Sequence, residues 1–165
     1  MSARTPAGRG LGRRCRTLAG FFASWADVWL GLRVAGWSLL MPALRRTLPL
    51  PLLTRLLWRR AKAAASPELD RKSTTLVRWI LPSERGGCVT RSLVLYRMLS
   101  AQHRDVELVF AMRRLARGWT GHAWIRLDGR PFAEAPSGLD EFTPVVIFGA
   151  RGAPREADRS AGGGR

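Results

Sequence analysis

The chain has 165 residues, with 28 Lys and Arg against 12 Asp and Glu, and it contains two cysteines and two histidines. This length fits one small domain, and two cysteines are too few to form a disulfide scaffold. Two histidines without a cysteine cluster exclude a zinc-binding motif, and the sequence has no glycine-rich phosphate loop followed by Lys. We therefore expect no metal and no nucleotide cofactor.

The positive charge is concentrated in the first part of the chain. Residues 1–66 contain 12 Lys and Arg against one acid, whereas residues 67–150 contain 12 against nine. No helix-turn-helix, zinc or aromatic-sheet motif accompanies this charge, so we expect no binding to nucleic acid. An acidic peptide, an acidic partner protein or an anionic membrane surface is a better match for the charge.

Composition divides the chain into four segments. Residues 1–20 are rich in Arg and Gly, which predicts a disordered basic start, and Cys15 within them is expected to have no role. We expect residues 21–66 to form basic and apolar helices and residues 67–150 to form the folded core. Residues 151–165 are expected to be a disordered tail that the protein does not need.

The first predicted helix, Phe21–Met41, is long enough to be considered as a membrane span. Its charges Asp27 and Arg33 would each cost about 2.5 to 3.5 kcal/mol on insertion, so we expect no span. The helix is expected to pack on the folded core or to lie on a membrane or partner surface, and the sequence leaves both possibilities open. After two prolines, a second helix is predicted over Leu52–Ala65.

The third predicted helix covers Glu68–Leu81, with Ser66 as its N-cap. A fourth begins at Cys88 after two glycines, and its apolar spacing places Cys88 and Ser92 on the inward face. A thiol in the first turn of a helix favours the thiolate, because the helix dipole and unpaired N–H groups stabilise negative charge. The alternative is a buried cysteine with a purely structural role.

The segments after this helix alternate apolar and polar residues and predict strands at 105–112, 122–127, 130–134 and 145–148. An arginine-containing loop is predicted between the first two strands, and the strand at 105–112 is expected to be half buried. The expected fold class is α+β, with a helical N-terminal part and a Cys-bearing helix packed on an antiparallel sheet.

The register of the predicted hairpin decides whether Glu134 faces His122. A two-residue turn at Asp128 and Gly129 would pair Ala123 with Glu134 and put the carboxylate on the wrong face. A three-residue loop that begins at Leu127 would instead pair His122 with Glu134. We adopt the three-residue loop as the hypothesis.

In that register Cys88 is the candidate nucleophile, His122 the candidate base, and Glu134 the candidate acid that orients the imidazole. Asp128 could orient His122 instead, although its turn position favours a structural role. His103 lies about 20 Å along the helix from Cys88 and is expected to be a surface residue. The N–H of Cys88 is one expected oxyanion donor, and the second, for which Arg78, Ser83 and Arg91 are within reach, stays open.

Five motifs together resemble the lasso-peptide leader peptidases, which belong to the transglutaminase-like cysteine peptidase superfamily. The resemblance covers about residues 67–148, and its specificity lies in the combination of motifs. The matching residues are Gly87-Cys88 with Arg91-Ser92-Leu93 and Leu95, Asp105-Val106-Glu107-Leu108-Val109, Gly121-His122-Ala123-Trp124, and Asp128-Gly129-Arg130-Pro131.

The resemblance implies a papain-like core in which Cys88 and His122 take the catalytic positions. Glu134 falls where the family commonly carries Asp. It also implies a cytoplasmic, antibiotic-biosynthetic peptidase that removes the leader from a ribosomally made lasso precursor peptide. A separate leader-binding protein of the RRE type and an ATP-dependent lasso cyclase would be its partners, because residues 1–66 show no strand pattern of a fused leader-binding domain.

Two other functions are compatible with the sequence, and only the second of them needs Cys88, His122 and the acid. One is a non-catalytic scaffold of the same fold that binds peptide, and the other is acyl transfer to an amine instead of water. Contact with a membrane through the N-terminal helices is compatible with each of them.

Overall fold

The computed structural model describes residues 24–61, 66–81, 87–103, 105–135 and 138–156. The described residues fall into two compact units, which divide between Arg33 and Val34. In the first unit the described residues begin helix α1, Trp25–Thr47, with a reciprocal cap. The N–H of Ser24 donates to Asp27 Oδ2 at 3.1 Å, and the N–H of Asp27 donates to Ser24 Oγ at 3.3 Å. The basic start predicted at 1–20, including Cys15, lies outside the described residues.

The second unit contains the sheet and the other helices. Its strands pair antiparallel in the order β3-β2-β1-β4-β5, so the predicted α+β class is confirmed. The elements are α2 Leu50–Leu57, α3 Pro67–Ile80, α4 Gly87–Leu99, β1 Val106–Leu115, β2 Gly118–Leu127, β3 Arg130–Phe132, β4 Thr143–Phe148, a 3-10 turn Ala150–Gly152 and β5 Pro154–Glu156.

Helix α4 is the central element of this unit. All of its residues from Thr90 to Leu99 are buried, and the helix contacts α2, α3, β1 and β2. The sequence indicated one inward face, but the packing covers the helix on several sides. The Tyr96 hydroxyl, for example, donates to the carbonyl of Gly149 at 2.6 Å, which ties the helix to the chain after β4.

The predicted helices differ from the structure mainly at their ends. Helix α1 continues through Pro42 to Thr47, whereas the pattern predicted an end at Met41. Helix α3 begins as predicted, because Ser66 Oγ accepts a hydrogen bond from the N–H of Leu69 at 3.4 Å. None of the helices in the described part of the chain is long and apolar enough to cross a membrane.

Helix α2 ends at Leu57, so the prediction of a helix through Ala65 is wrong for residues 58–61; residues 62–65 lie outside the described ranges. One side chain of α4 and one from the residue just after it bind the backbone groups at this end. Arg97 donates to the Leu57 carbonyl at 3.2 Å, and Ser100 Oγ accepts from the N–H of Arg59 at 3.2 Å. These tertiary contacts replace the next helical hydrogen bonds.

The hairpin of β1 and β2 is longer than predicted, because the expected arginine loop is mostly strand. Both strands continue to a turn at residues 116–117. The prediction of a half-buried β1 is also wrong, since both of its faces are covered near its middle. Val106 and Leu108 are buried on one face, while Val109 and Ala111 on the other pack with a cluster that comprises Trp124, Leu139, Ile147 and Phe142.

The disordered tail predicted for residues 151–165 is wrong for its first six residues. Residues 154–156 form β5 on β4, and Thr54 Oγ1 donates to the carbonyl of Gly152 at 3.2 Å. Gly152 has a positive φ of 64°, and a Cβ placed on it would lie 2.4 Å from the backbone N of Arg55. The remaining nine residues, 157–165, lie outside the described ranges.

Gly152→Ala should therefore lower the free energy of unfolding by roughly 2 to 4 kcal/mol, through a strained backbone and an overpacked contact with α2. Urea denaturation followed by circular dichroism measures this change. Gly149→Ala is the matched control, because that position has a φ of −97° and nothing within 4 Å of its added Cβ. Equal stabilities for the two variants would contradict the close contact.

Candidate active site

The candidate site lies where the N-terminus of α4 meets β2. Strand β3 pairs only with Ile125–Leu127, so the described residues place no strand on that side of β2 at Ala123. Helix α4 occupies this position. Ser92 Oγ donates to the carbonyl of Ala123 at 2.7 Å, and the N–H of Ala123 is directed to the thiol of Cys88. The backbone of one residue of β2 therefore binds two side chains that lie one helical turn apart.

Cys88 is the second residue of α4, as the sequence predicted to within one residue. It is a free thiol, and the backbone N–H groups of Val89 and Ala123 donate to its sulfur. The hydrogen bond with His122 lowers the pKa of the Cys88 thiol below its ordinary value, and it outweighs the opposing effect of burial. The thiolate is thus favoured by a neighbouring imidazole as well as by its place at the helix N-terminus.

His122 lies on β2 directly opposite Ala111 of β1. Its ring stacks on Trp124 with centroids 5.9 Å apart, and it contacts the ring of Phe142 at 5.3 Å. Nε2 donates to Glu134 Oε2 at 2.7 Å, which leaves Nδ1 as the nitrogen available to the thiol. The hydrogen bond with Cys88, followed by that with Glu134, raises the pKa of His122 to about 9 despite partial burial.

Glu134 reaches His122 by a different route from the one that the sequence predicted. The hairpin has the two-residue turn, with Asp128 and Gly129 both at positive φ, and Leu127 pairs with Arg130. The predicted three-residue loop is wrong, and so is the predicted pairing of His122 with Glu134 in the strand ladder. An Asp-Gly turn of this kind matches the twist of the strands better than the longer loop does.

The contact nevertheless forms because the ladder ends before Glu134. Ala133 has a left-handed backbone with a φ of 62°, which is unusual for a residue with a Cβ. In a continued ladder Glu134 would pair with Ala123 and face away from His122. The left-handed residue turns the chain, and the carboxylate lies beside the imidazole.

The second carboxylate oxygen of Glu134 binds α4. Arg91 Nη2 donates to Glu134 Oε1 at 2.8 Å, and both side chains are largely shielded from solvent. Burial alone raises the pKa of the Glu134 carboxyl, but the hydrogen bond from His122 and the charges of His122 and Arg91 hold that pKa below its ordinary value. The carboxylate is therefore ionised beside a protonated imidazole.

Two alternative residues are not part of this arrangement. Asp128 lies in the β2–β3 turn, where its N–H donates to the carbonyl of Asp105 at 3.2 Å. His103 was expected at the surface, but its side chain is only 15% exposed and its Nε2 lies 2.8 Å from Asp70 Oδ2. It follows the C-terminal end of α4, whereas Cys88 lies at the N-terminal end.

Sequence reasoning missed two features of the site. Arg91 was considered only as an oxyanion donor, yet its spacing of three residues from Cys88 was a signal that both lie on one side of α4. Nothing in the sequence indicated the left-handed backbone at Ala133, because Gly and Asn are the residues that usually adopt this conformation. Ser83 lies outside the described residues, and the N–H of Cys88 stays a predicted oxyanion donor.

An open pocket of about 460 Å³ adjoins Glu134 and Arg91. Its wall includes Arg78 of α3 and the apolar side chains of Leu95, Ile125, Phe132 and Leu139. Within the described ranges, no group of His, Cys, Asp or Glu side chains has a geometry that could bind a metal ion.

A cysteine at a helix N-terminus beside a histidine on an antiparallel sheet is an arrangement used for covalent acyl transfer. The family comparison agrees with this class. The sequence model of the transglutaminase-like superfamily matches residues 31–147, so the chain belongs to that superfamily, which includes cysteine peptidases and transferases. Comparison with curated proteins and with solved structures found no match.

The polarised thiol can be tested without a substrate. In a Cys15→Ser background, alkylation of Cys88 by iodoacetamide should reach half of its maximal rate at a pH below about 8.5, the ordinary pKa of cysteine. His122→Ala should move this midpoint upward, because the hydrogen bond that lowers the pKa of Cys88 is lost. The rate is measured by mass spectrometry between pH 5 and about pH 10, spanning the thiol titration range.

His103→Ala is the matched control, since it removes the other histidine and should leave the midpoint unchanged. If the protein that retains His122 gave a midpoint at or above that of an ordinary cysteine thiol, this result would contradict the Cys88–His122 interaction.

Proposed function

We propose that this chain is a cysteine peptidase that removes the leader from a ribosomally synthesised lasso precursor peptide before macrocyclisation. The observation that supports it best is the continuous series of hydrogen bonds from Cys88 through His122 to Glu134. The five sequence motifs that resemble lasso-peptide leader peptidases support the choice of substrate. Membership of the transglutaminase-like superfamily supports the class of chemistry.

The mechanism follows from the order of these three residues. Cys88 attacks the carbonyl carbon of the scissile peptide bond, and its sulfur forms a thioester as the C–N bond breaks. His122 gives its proton to the departing amine, which is the first residue of the core peptide, and then takes a proton from the water that hydrolyses the thioester. Glu134 keeps the imidazole oriented and stabilises its protonated form.

The proposed partners follow from the substrate. A separate leader-binding protein of the RRE type would present the precursor, and an ATP-dependent cyclase would use the freed amine. A reducing cytoplasm would keep Cys88 a free thiol. The basic charge of residues 1–66 would attract an acidic peptide, a partner protein or an anionic membrane surface.

Leader cleavage is the direct test. The precursor peptide and its leader-binding protein are mixed with wild-type or variant protein, and the products are weighed by mass spectrometry. Cys88→Ala should lower turnover by about 1,000-fold or more, because the nucleophile is lost. Glu134→Gln should lower turnover less than Cys88→Ala does, because the thiol and imidazole remain. Glu68→Gln, at an exposed carboxylate on α3, is the matched control and should have full activity.

Equal cleavage by wild type and Cys88→Ala would eliminate Cys88 as the nucleophile. If neither protein cleaves while the partner binds leader, the non-catalytic scaffold is favoured. Acyl transfer to an amine uses the same three residues and is distinguished by product mass, since the leader would then carry the added amine in place of the hydroxyl from water.

A further inference from the structure

We propose that Arg91 is a positioning residue, whose bond to Glu134 Oε1 keeps Glu134 Oε2 on His122. This inference rests on the proposed function for its catalytic consequence, but the contact itself stands on the geometry. The two bonds to the carboxylate are 2.8 Å and 2.7 Å long, and the side chain of Arg91 is only 11% exposed. Charge-assisted hydrogen bonds of this length are strong and directional.

Glu134 needs such an anchor because its backbone is not held in the sheet. Strand β3 ends at Phe132, and Ala133 carries the left-handed backbone that turns the chain. A glutamate side chain has three rotatable bonds and loses much rotamer freedom when it is fixed. Two groups among the described residues bind its carboxylate, and of these Arg91 belongs to the buried central helix.

The same helix also carries the candidate nucleophile. Cys88 and Arg91 are three residues apart on α4, and Ser92 beside Arg91 bonds to β2 at Ala123, the neighbour of His122. Helix α4 thus carries the Cys88 thiol and the Arg91 side chain that anchors Glu134, and it also binds strand β2, which carries His122. A shift of α4 would move the Cys88 thiol and the Arg91 anchor together.

Two other roles for Arg91 make different predictions. As part of the pocket that also contains Arg78, it could bind an anionic group of the substrate. As a fixed positive charge, it could act on the site only through space. Among the described residues, the charged groups that act on the imidazole are Cys88 of α4 and Glu134 of the segment after β3. Arg91 of α4 contacts the other oxygen of Glu134, and Arg113 of β1 stacks on Phe142, which contacts the ring.

The sign of one measurable change separates these roles. Removing a nearby positive charge favours the protonated imidazole, so a through-space role predicts that Arg91→Gln raises the pKa of His122. Loss of the Glu134 contact has the opposite effect, because that contact raises the pKa. A positioning role therefore predicts that Arg91→Gln lowers the pKa of His122 from about 9 toward its ordinary value of 6.5. A substrate-binding role predicts no change in the free protein.

The experiment is a titration of the His122 ring by NMR in the full chain, with His103→Gln used to assign the two histidines. Glu134→Gln shows how far the pKa of His122 falls when the carboxylate contact is lost completely. Arg91→Gln should give most of the same decrease in pKa, and the double variant should give no more than Glu134→Gln alone. Arg91→Lys keeps a cation on the helix and should restore most of the wild-type value.

Arg97→Gln is the matched control, because Arg97 is a second buried arginine on α4 that bonds to the Leu57 carbonyl and lies over the Trp37 ring. It should lower the melting temperature while the pKa of His122 stays unchanged. An unchanged or raised pKa of His122 in Arg91→Gln would overturn the proposal, as would an unchanged pKa in Glu134→Gln.

Cleavage kinetics supply a second readout. Arg91→Gln should lower kcat by about 10- to 100-fold and leave KM nearly unchanged, since misplacement of a catalytic group by about 1 Å has effects of that size. An increase in KM alone would favour the substrate-binding role and overturn the positioning role. If the protein cleaves no lasso precursor, the titration still decides the role of Arg91, so the two proposals fail separately.

Discussion

The N-terminus of α4 packs on the part of β2 that β3 leaves uncovered, and the candidate site depends on this contact. In an antiparallel strand the N–H and carbonyl of one residue point to the same side, so Ala123 presents a donor and an acceptor together. The donor serves the Cys88 thiol and the acceptor binds the Ser92 hydroxyl. If β3 paired with β2 for two more residues, the N–H and carbonyl of Ala123 would both be used in the hydrogen bonds between these strands. The short strand thus leaves room for the helix, and the helix brings the thiol to the strand that carries the histidine.

Burial of α4 gives this arrangement its rigidity. The helix is covered by α2 and α3 as well as by the sheet, and it is linked to the chain after β4 through Tyr96. The family match begins at residue 31 and includes α2 and most of α1, which agrees with a core that extends upstream of the candidate site residues. Partial burial also strengthens the interactions among Cys88, His122 and Glu134, because fewer water molecules screen their charges. The thiol then loses its proton readily while the imidazole retains one.

Glu134 shows how a correct contact can follow from an incorrect register. The sequence contained both possible turns at Asp128-Gly129, and the three-residue loop was preferred because it paired His122 with Glu134. The structure has the shorter turn, whose two positive φ angles suit Asp and Gly. The strained backbone at Ala133 then restores the contact that the register alone would have prevented. Such local strain, at a cost of about 1 to 3 kcal/mol, persists where the surrounding contacts compensate for it. The bonds from Arg91 and His122 are such contacts.

The sequence by itself determined the order of helices and strands as far as β4, the place of Cys88 at a helix start and the place of His122 on a strand. These features depend on local properties, namely the apolar period, the Ser66 cap and the glycines before Cys88. Only the tertiary structure decided where α2 ends, that both faces of β1 are covered, and that residues 151–156 belong to the fold. It also decided that Arg91 and His122 share one carboxylate. Each of these depends on groups far apart in the chain, such as Arg97 with Leu57, Thr54 with Gly152, and Arg91 with Glu134. A periodic pattern within one segment has no information about its distant partners, and for that reason the contacts appear only when the chain is folded.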